Sequence, residues 1–597
     1  MGKAQSASTA IAPSKVGVTD LVRGVVKMAP DATGMVKHAP GLVFNKASAK
    51  KTIGKIFQDL ARKQPDRPFI RFDGDTYTYG EANRIVNRYA AVLTEKGVGV
   101  GDVVGILAKN SATDLMCVLA AVKVGAVAGM LNYNQHGHVI DHSMKLLGAT
   151  VLLRDPECTE AWETMSKDVR PEHVLDFDQL EAEAKGKPDH NPAVTATLPA
   201  STTAFYIFTS GTTGLPKASM MSHNRWLANY SGIGGLGVRL HPSDTMYIPL
   251  PLYHNNALSV SLGSVLAGGS CVAIAKQFSA SRFWDEIIAN RATAFCYIGE
   301  LCRYLLAQPE KPTDRQHAVR LIVGNGMRPE IWDEFSQRFG IDRVVEFYGA
   351  SELNLAFINV FSAKRTAGFC PLPFKIVEYN EDGTPKRDAK GRLRSVKNGE
   401  PGLLIAEISE RVPLDGYTDP EETEKKVIRD AFKDGDAYFN SGDLVRGLGF
   451  KHIAFVDRLG DTFRWKGENV ATTEVESALG TAKGVEQAVV YGVEVPGSDG
   501  RAGMAAVTLA DGASFDAKAV AARLYDELPD YAVPLFIRLV GTIAATSTFK
   551  NQKVELRNQG FTEVGDDEIW VLKGPKDGYV PFYDGYPADV SSAKAPR

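Results

Sequence analysis

Along this chain the apolar positions alternate between two spacings. From Tyr79 to Leu93, the residues Ala82, Ile85, Val86, Tyr89, Ala90 and Leu93 recur every three or four positions, the period of a helix with one buried face. Asp102–Ala108 then reads as a strand. Leu115–Leu131 reads as a buried helix running into a second strand, because Lys123 and two glycines interrupt a run that would need about 20 uncharged apolar residues to span a membrane. Helix and strand signals keep alternating from about Ile53 to about Asp457, which predicts layered α/β architecture with mostly parallel sheet. Beyond it, a helix over Asn469–Leu479, strands over Val485–Val493 and Met504–Leu509, and a helix over Phe515–Leu528 predict a small α+β unit.

The first fifty residues are different. They are rich in Ala, Ser, Lys and Gly, and although Thr19–Met28 suits a short helix, Pro30 and Pro40 break the pattern beyond it. The expected division is a flexible extension over 1–50, a large domain over 51–460 and a smaller one over 461–597. The extension is expected to be loosely packed, with binding to a membrane surface as its alternative role.

Composition removes several classes of function. Sixty-eight basic and 71 acidic residues leave a formal net charge of −3, so the basic surplus of a nucleic-acid binder is missing. Six cysteines (Cys117, Cys158, Cys271, Cys296, Cys302 and Cys370) form no CxxC pair, which argues against zinc and disulfides and for a reducing cytoplasm. The N-terminus lacks the basic-then-apolar pattern of a secretory signal.

Candidate chemistry begins where the β-prone run Ala204–Phe208 meets Thr209-Ser210-Gly211-Thr212-Thr213-Gly214-Leu215-Pro216-Lys217. Two glycines permit a tight bend with inward N–H groups, and four hydroxyls and a lysine add donors, together an anion cradle suited to a triphosphate. A polar hairpin turn is the plain alternative. The spacing is not that of the P-loop, which needs GxxxxGK[ST].

This string resembles the AMP-binding signature of the adenylate-forming superfamily, and six further motifs of that superfamily come after it in the same order. Pro249–Asn255 resembles the motif whose histidine, here His254, lies near the carboxylate and the phosphates; Leu258 stands where some long-chain relatives carry an aromatic gate. Gly324-Asn325-Gly326, which follows the apolar run Val319–Val323 read as a strand, resembles the adenine-binding loop. In Glu346–Glu352 the resemblance gives Tyr348 and Gly349 to adenine, keeps a hydroxyl at Ser351 and gives Glu352 to Mg²⁺, a hard cation suited to carboxylate oxygen. Asp443 would take the ribose hydroxyls and Arg458 ribose or phosphate. Asp461 would be the pivot of a hinge and Gly467 would line the passage for the CoA arm. The catalytic lysine falls at Lys550, with Lys553 as the alternate.

The stretches Tyr206–Gly211, Gly324–Pro329 and Gly460–Val475 are most similar to the fatty-acid transport protein and very-long-chain acyl-CoA synthetase branch. That resemblance implies a large layered adenylation domain binding ATP and fatty acid, joined to a small mobile α+β domain. It implies a ligase joining a long or very long fatty acid to CoA through an acyl-adenylate, with Thr209, His254, Glu352 and Lys550 in catalytic roles. The rival readings are an acyl-AMP ligase serving a carrier protein and a membrane-associated uptake protein acting by acylation.

Overall fold

A computed structural model describes residues 15–43, 46–210, 215–380, 383–465, 468–498, 500–543 and 553–592. Its strands form sheets of fourteen, six, five and two strands. The heart of the largest is a block of six parallel strands in the order Arg343–Tyr348, Leu321–Asn325, Ala294–Ile298, Thr245–Ile248, Cys271–Ile274 and Pro68–Phe72. Antiparallel strands extend it on one side through Phe357–Ile358, Gly368–Phe369, His452–Arg458, Ala437–Gly449 and Pro401–Glu407.

The six-stranded sheet is parallel through His173–Asp176, Val151–Arg154, Val103–Leu107, Val127–Leu131 and Thr203–Ser210, and it closes with the antiparallel Pro216–Ser222. The helix Ala112–Val124 shares one apolar core with side chains of both sheets. It is buried on nearly every side, which is why its sequence shows no polar face. The Ser111 hydroxyl caps its start and Gly125, at φ +84°, ends it in the left-handed conformation that glycine adopts freely. Among the described residues no helix is long and apolar enough to cross a membrane.

The five-stranded sheet (Val485–Glu494, Arg501–Leu509, Phe536–Leu539, Glu568–Gly574, Gly578–Pro581) carries the helices Thr472–Gly480 and Ala517–Glu527 on its own apolar core. The fold is thus α/β with a large N-terminal part and a smaller α+β C-terminal part.

Three expectations change. The helix expected from Asn469 begins at Thr472, because Glu468–Val470 pairs as a short strand with Phe463–Trp465. The strand read as Val319–Val323 is Leu321–Asn325, so Gly324 and Asn325 end the strand rather than come after it. The third concerns the extension. Within 1–50, Val18–Met28 is a helix and Ala32–His38 another, and they are docked. Gly24 packs so tightly that a Cβ there would lie 2.6 Å from the Phe361 carbonyl oxygen, and His38 is buried edge-on against Tyr230 at 5.1 Å. Asp31 bonds Arg239 Nε at 2.8 Å and His241 Nε2 at 3.2 Å. Composition concealed this because the anchoring groups are single residues spaced among small ones.

Lys123, fully buried in the helix between the sheets, donates to the side-chain carbonyls of Asn83 at 2.8 Å and Asn191 at 2.6 Å, with Asn87 as third acceptor. Desolvation lowers its pKa from 10.5 to about 7. A base whose folded pKa is depressed makes the fold more stable as the unfolded chain loses its proton. Unfolding free energy should therefore rise between about pH 7 and about pH 10. Lys123→Met should flatten that rise and cost about 1–3 kcal/mol, since it leaves buried carbonyls without a donor. Urea unfolding at stepped pH measures both.

Candidate active site

The sequence-assigned residues converge because the strands that carry them run parallel. Gly324 and Asn325 end one strand, Tyr348 ends its neighbour, and His254 comes after a third, Thr245–Ile248, all at the carboxyl edge where α/β sheets bind ligands. Gly324 is there by necessity: a Cβ would lie 2.2 Å from the Tyr297 carbonyl oxygen. Gly326 sits at φ +79°, a conformation costly for other residues. His254 lies half-buried on the Pro249–Asn255 loop, its ring 4.4 Å from that of Tyr253. The next residue but one, Asn256, reaches the Tyr297 carbonyl at 3.4 Å.

Glu346, which pattern alone did not single out, holds this edge together. Its carboxylate accepts from the Tyr297 hydroxyl at 2.6 Å and from the backbone N–H groups of Met327 at 2.9 Å and Gly326 at 3.2 Å. It therefore fixes the Gly324–Gly326 loop. Burial raises its pKa from 4.5 to about 7, against the pull of those donors.

Tyr348 is buried, and its hydroxyl donates to Asp443 Oδ2 at 2.6 Å. Asp443 and Arg458 are paired across adjacent strands, with Arg458 Nε 3.8 Å from Asp443 Oδ1. Gly349 is exposed beside them. Tyr348, Asp443 and Arg458 thus form one group.

The hairpin Thr203–Ser210/Pro216–Ser222 brings the cradle to the same place. Thr209 pairs with Lys217 and Ser210 with Pro216 across it; Gly211, Thr212, Thr213 and Gly214 lie outside the described residues. The hairpin's outer edge meets residues 416–418 through a bridge from Ser219 to Tyr417. This contact, for which the sequence carried no motif, puts Glu422 on Lys217 and Tyr417 beneath it, with the ammonium 5.8 Å from the ring centre. The Lys217 ammonium, then Lys425, hold the Glu422 carboxyl down at about 2. Burial and then the nearby Glu352 carboxylate push the Tyr417 hydroxyl up, and Ser219 Oγ donates to the Ser351 carbonyl at 2.7 Å.

Arg225, another residue without a motif, donates to the carbonyls of Ala350 at 2.9 Å and of Leu353, bracketing Ser351 and Glu352. The phosphate hairpin and the acidic turn are therefore joined by side chains at fixed distances.

Gly467 and Lys550 lie outside the described residues. Lys553 does not. Its ammonium is buried against Glu476 Oε1 at 2.8 Å and Thr472 Oγ1 at 2.7 Å, and Thr472 in turn donates its N–H to Asp457 at 2.6 Å. This brace spans Asp461, the expected pivot. Among the described residues no group of three or more His, Cys, Asp or Glu side chains could hold a metal ion unaided.

A carboxyl edge of parallel strands, a glycine- and hydroxyl-bearing hairpin and a C-terminal α+β unit define an adenylate-forming fold, and the chain belongs to the AMP-binding enzyme family. That family matches residues 57–397, and its C-terminal domain matches residues 474–550. A relative from Mycobacterium tuberculosis named medium/long-chain-fatty-acid–CoA ligase FadD6 is 53% identical over 98% of this chain and 99% of its own length. Long-chain fatty acid transport protein 2 of Rattus norvegicus is 39% identical over 89% of each. ATP-bound MatB from Rhodopseudomonas palustris superimposes with a TM-score of 0.73 at 24% identity, covering 85% of this chain and 99% of MatB, a likeness of fold.

Glu346→Gln replaces one acceptor oxygen with a donor facing N–H groups, and it should weaken ATP binding about tenfold in calorimetry. In the unaltered chain, affinity should fall as pH drops from about 8 to about 6 and Glu346 takes up a proton. The linked stability has the opposite sign: a carboxyl with a raised folded pKa stabilises the fold most at low pH, and that contribution is lost as pH rises through about 7. The glutamine variant should show neither slope.

Proposed function

We propose that this chain converts ATP, a long-chain fatty acid and CoA into acyl-CoA, AMP and diphosphate through an acyl-adenylate. One observation carries the reading. The motifs assigned to adenine, ribose, phosphate and metal lie on one hydrogen-bonded edge, in a chain alike from end to end to a named fatty-acid–CoA ligase.

In the first step a carboxylate oxygen attacks the α-phosphorus and the bond to diphosphate breaks. Little covalent work is asked of the protein beyond positioning and charge neutralisation. Thr209, Ser210 and Lys217 act on the β and γ phosphates with the glycines and threonines between them. Gly324, Asn325, Gly326 and Tyr348 frame adenine, and Asp443 and Arg458 face ribose. Glu352 suits Mg²⁺, which is usually held by one or two carboxylates with phosphate oxygens and water; bound there it would neutralise phosphate charge. His254 borders the carboxylate and Lys550 neutralises the α-phosphate.

In the second step the segment beyond Asp461 turns, withdraws Lys550 and presents Gly467. The CoA sulfur then forms a bond to the acyl carbon, AMP leaves on its phosphate oxygen, and the thiol proton goes to solvent.

The brace on Lys553 supports Lys550 as the lysine of the first step, because Lys553 already has a carboxylate and a hydroxyl as partners. Lys550→Ala should lower fatty-acid-dependent diphosphate release by about 10²–10³-fold while leaving thioester formation from supplied acyl-AMP nearly unchanged. Lys553→Ala should retain adenylation within about tenfold. The reverse pattern would exchange the two lysines. Turnover with ATP and CoA across fatty acids of increasing length should peak among long chains, and AMP release without acyl-CoA would transfer the assignment to an acyl-AMP ligase.

A further inference from the structure

The docked N-terminal segment has a second face. On the helix Val18–Met28, the residues Val18, Val22, Val25 and Val26 keep helical spacing and are 63, 58, 56 and 67% exposed; Val36 on the next helix is 72% exposed. A stripe of four bare valines on one helix, with a fifth on the next, is unusual on a water-facing surface. Fraying does not account for them. The opposite side of the same helix buries Gly24 on Phe361 and Met28 in the body, and Asp31 locks the segment onto Arg239.

Charge says what the stripe meets. In a chain of net charge −3, residues 15–43 carry exposed Lys15, Arg23, Lys27 and Lys37. The two carboxylates in that span are both engaged, Asp20 by the Gly17 N–H at 2.9 Å and Asp31 by Arg239 and His241. A protein partner would be expected to find aromatic anchors or a pocket, and this face offers only valines. Cations beside an apolar helical stripe are the signature of a helix lying in the headgroup layer.

We infer that the face formed by Val18, Val22, Val25, Val26 and Val36 with Arg23, Lys27 and Lys37 docks the enzyme onto an anionic lipid bilayer. The proposed substrate partitions into bilayers, so docking would place the enzyme at its source of fatty acid; that purpose, though not the surface itself, rests on the ligase reading.

The test is co-sedimentation of the full chain with phosphatidylcholine vesicles, with and without phosphatidylglycerol, in the absence of ATP and CoA. The chain should bind the anionic vesicles, more weakly as salt rises. Val22→Asp/Val25→Asp and, separately, Arg23→Glu/Lys27→Glu should each lower binding at least about tenfold. Both variants should keep their thermal midpoint and their turnover of a short, freely soluble acid. Failure of the unaltered chain to bind, or binding by both variants as strong as that of the unaltered chain, would overturn the proposal. So would a dimer in light scattering that the valine variant dissolves while no vesicle binding is seen, which would give the face to a second copy. Because binding is read without substrates, it stands or falls separately from the ligase reading.

Discussion

The half-buried Arg225 is the joint on which the site depends. It lies just past the hairpin of the six-stranded sheet and donates to Met220 on that hairpin and to Ala350 and Leu353 beyond the largest parallel block. Burial lowers its pKa, and the nearby carboxylates of Asp415 and Glu352 offset this. Asp415 also accepts the Ser222 N–H at 2.7 Å, closing the joint from the other side. Carbonyl oxygens buried without a donor would each cost about 1–3 kcal/mol, so the two sheets stay in register at this point or lose that much. The hairpin that carries Thr209 and Lys217 and the turn that carries Glu352 share one reference frame because of it.

On that frame, side chains assigned to ligands already have protein partners. Lys217 holds Glu422, and Tyr348 holds Asp443. Ligand binding at such a site is an exchange of partners rather than the filling of a void. On the proposed reading, a phosphate oxygen that replaced the Glu422 carboxylate at Lys217 would find a donor already oriented, so little reorganisation would remain at the moment of reaction. The same arrangement spares the partly buried ammonium the cost of standing unpaired between turnovers.

The features legible in the sequence and those hidden from it divide on physical grounds. The strand–helix alternation was legible because parallel strands buried on both faces and helices between sheets leave long periodic runs, as in Tyr79–Leu93 and Leu115–Leu131. The glycine and hydroxyl motifs were legible because their neighbours in space are also neighbours in the chain. Arg225, Tyr417 and Glu422 were not, because their partners lie more than a hundred residues away and nothing local marks an arginine that meets distant carbonyls. Glu346 is intermediate: it sits inside a readable motif, yet its work on Gly326 and Met327 exists only through strand pairing. The docking of residues 18–38 was missed for the same reason, since Asp31 has meaning only beside Arg239.

The two lysines near the C-terminal end show how such distant contacts separate similar residues. By spacing alone, Lys550 and Lys553 are equivalent candidates three positions apart. Lys553 begins the helix Lys553–Gln559 and points into Glu476 and Thr472, while Thr472 is tied to Asp457 on the near side of Asp461. Arg557, one turn later, donates to the Gly460 carbonyl at 3.2 Å. The contacts that cross the expected pivot are Arg557 to Gly460 and Thr472 to Asp457, with Lys553 held behind the second, so a turn about Asp461 would have to loosen them. The carboxyl of Asp457, raised by burial to about 6, leans on the Lys553 charge for part of its ionisation. On the proposed reading, in which Lys550 meets the α-phosphate, removing the Lys553 charge would loosen this brace before it touched the chemistry.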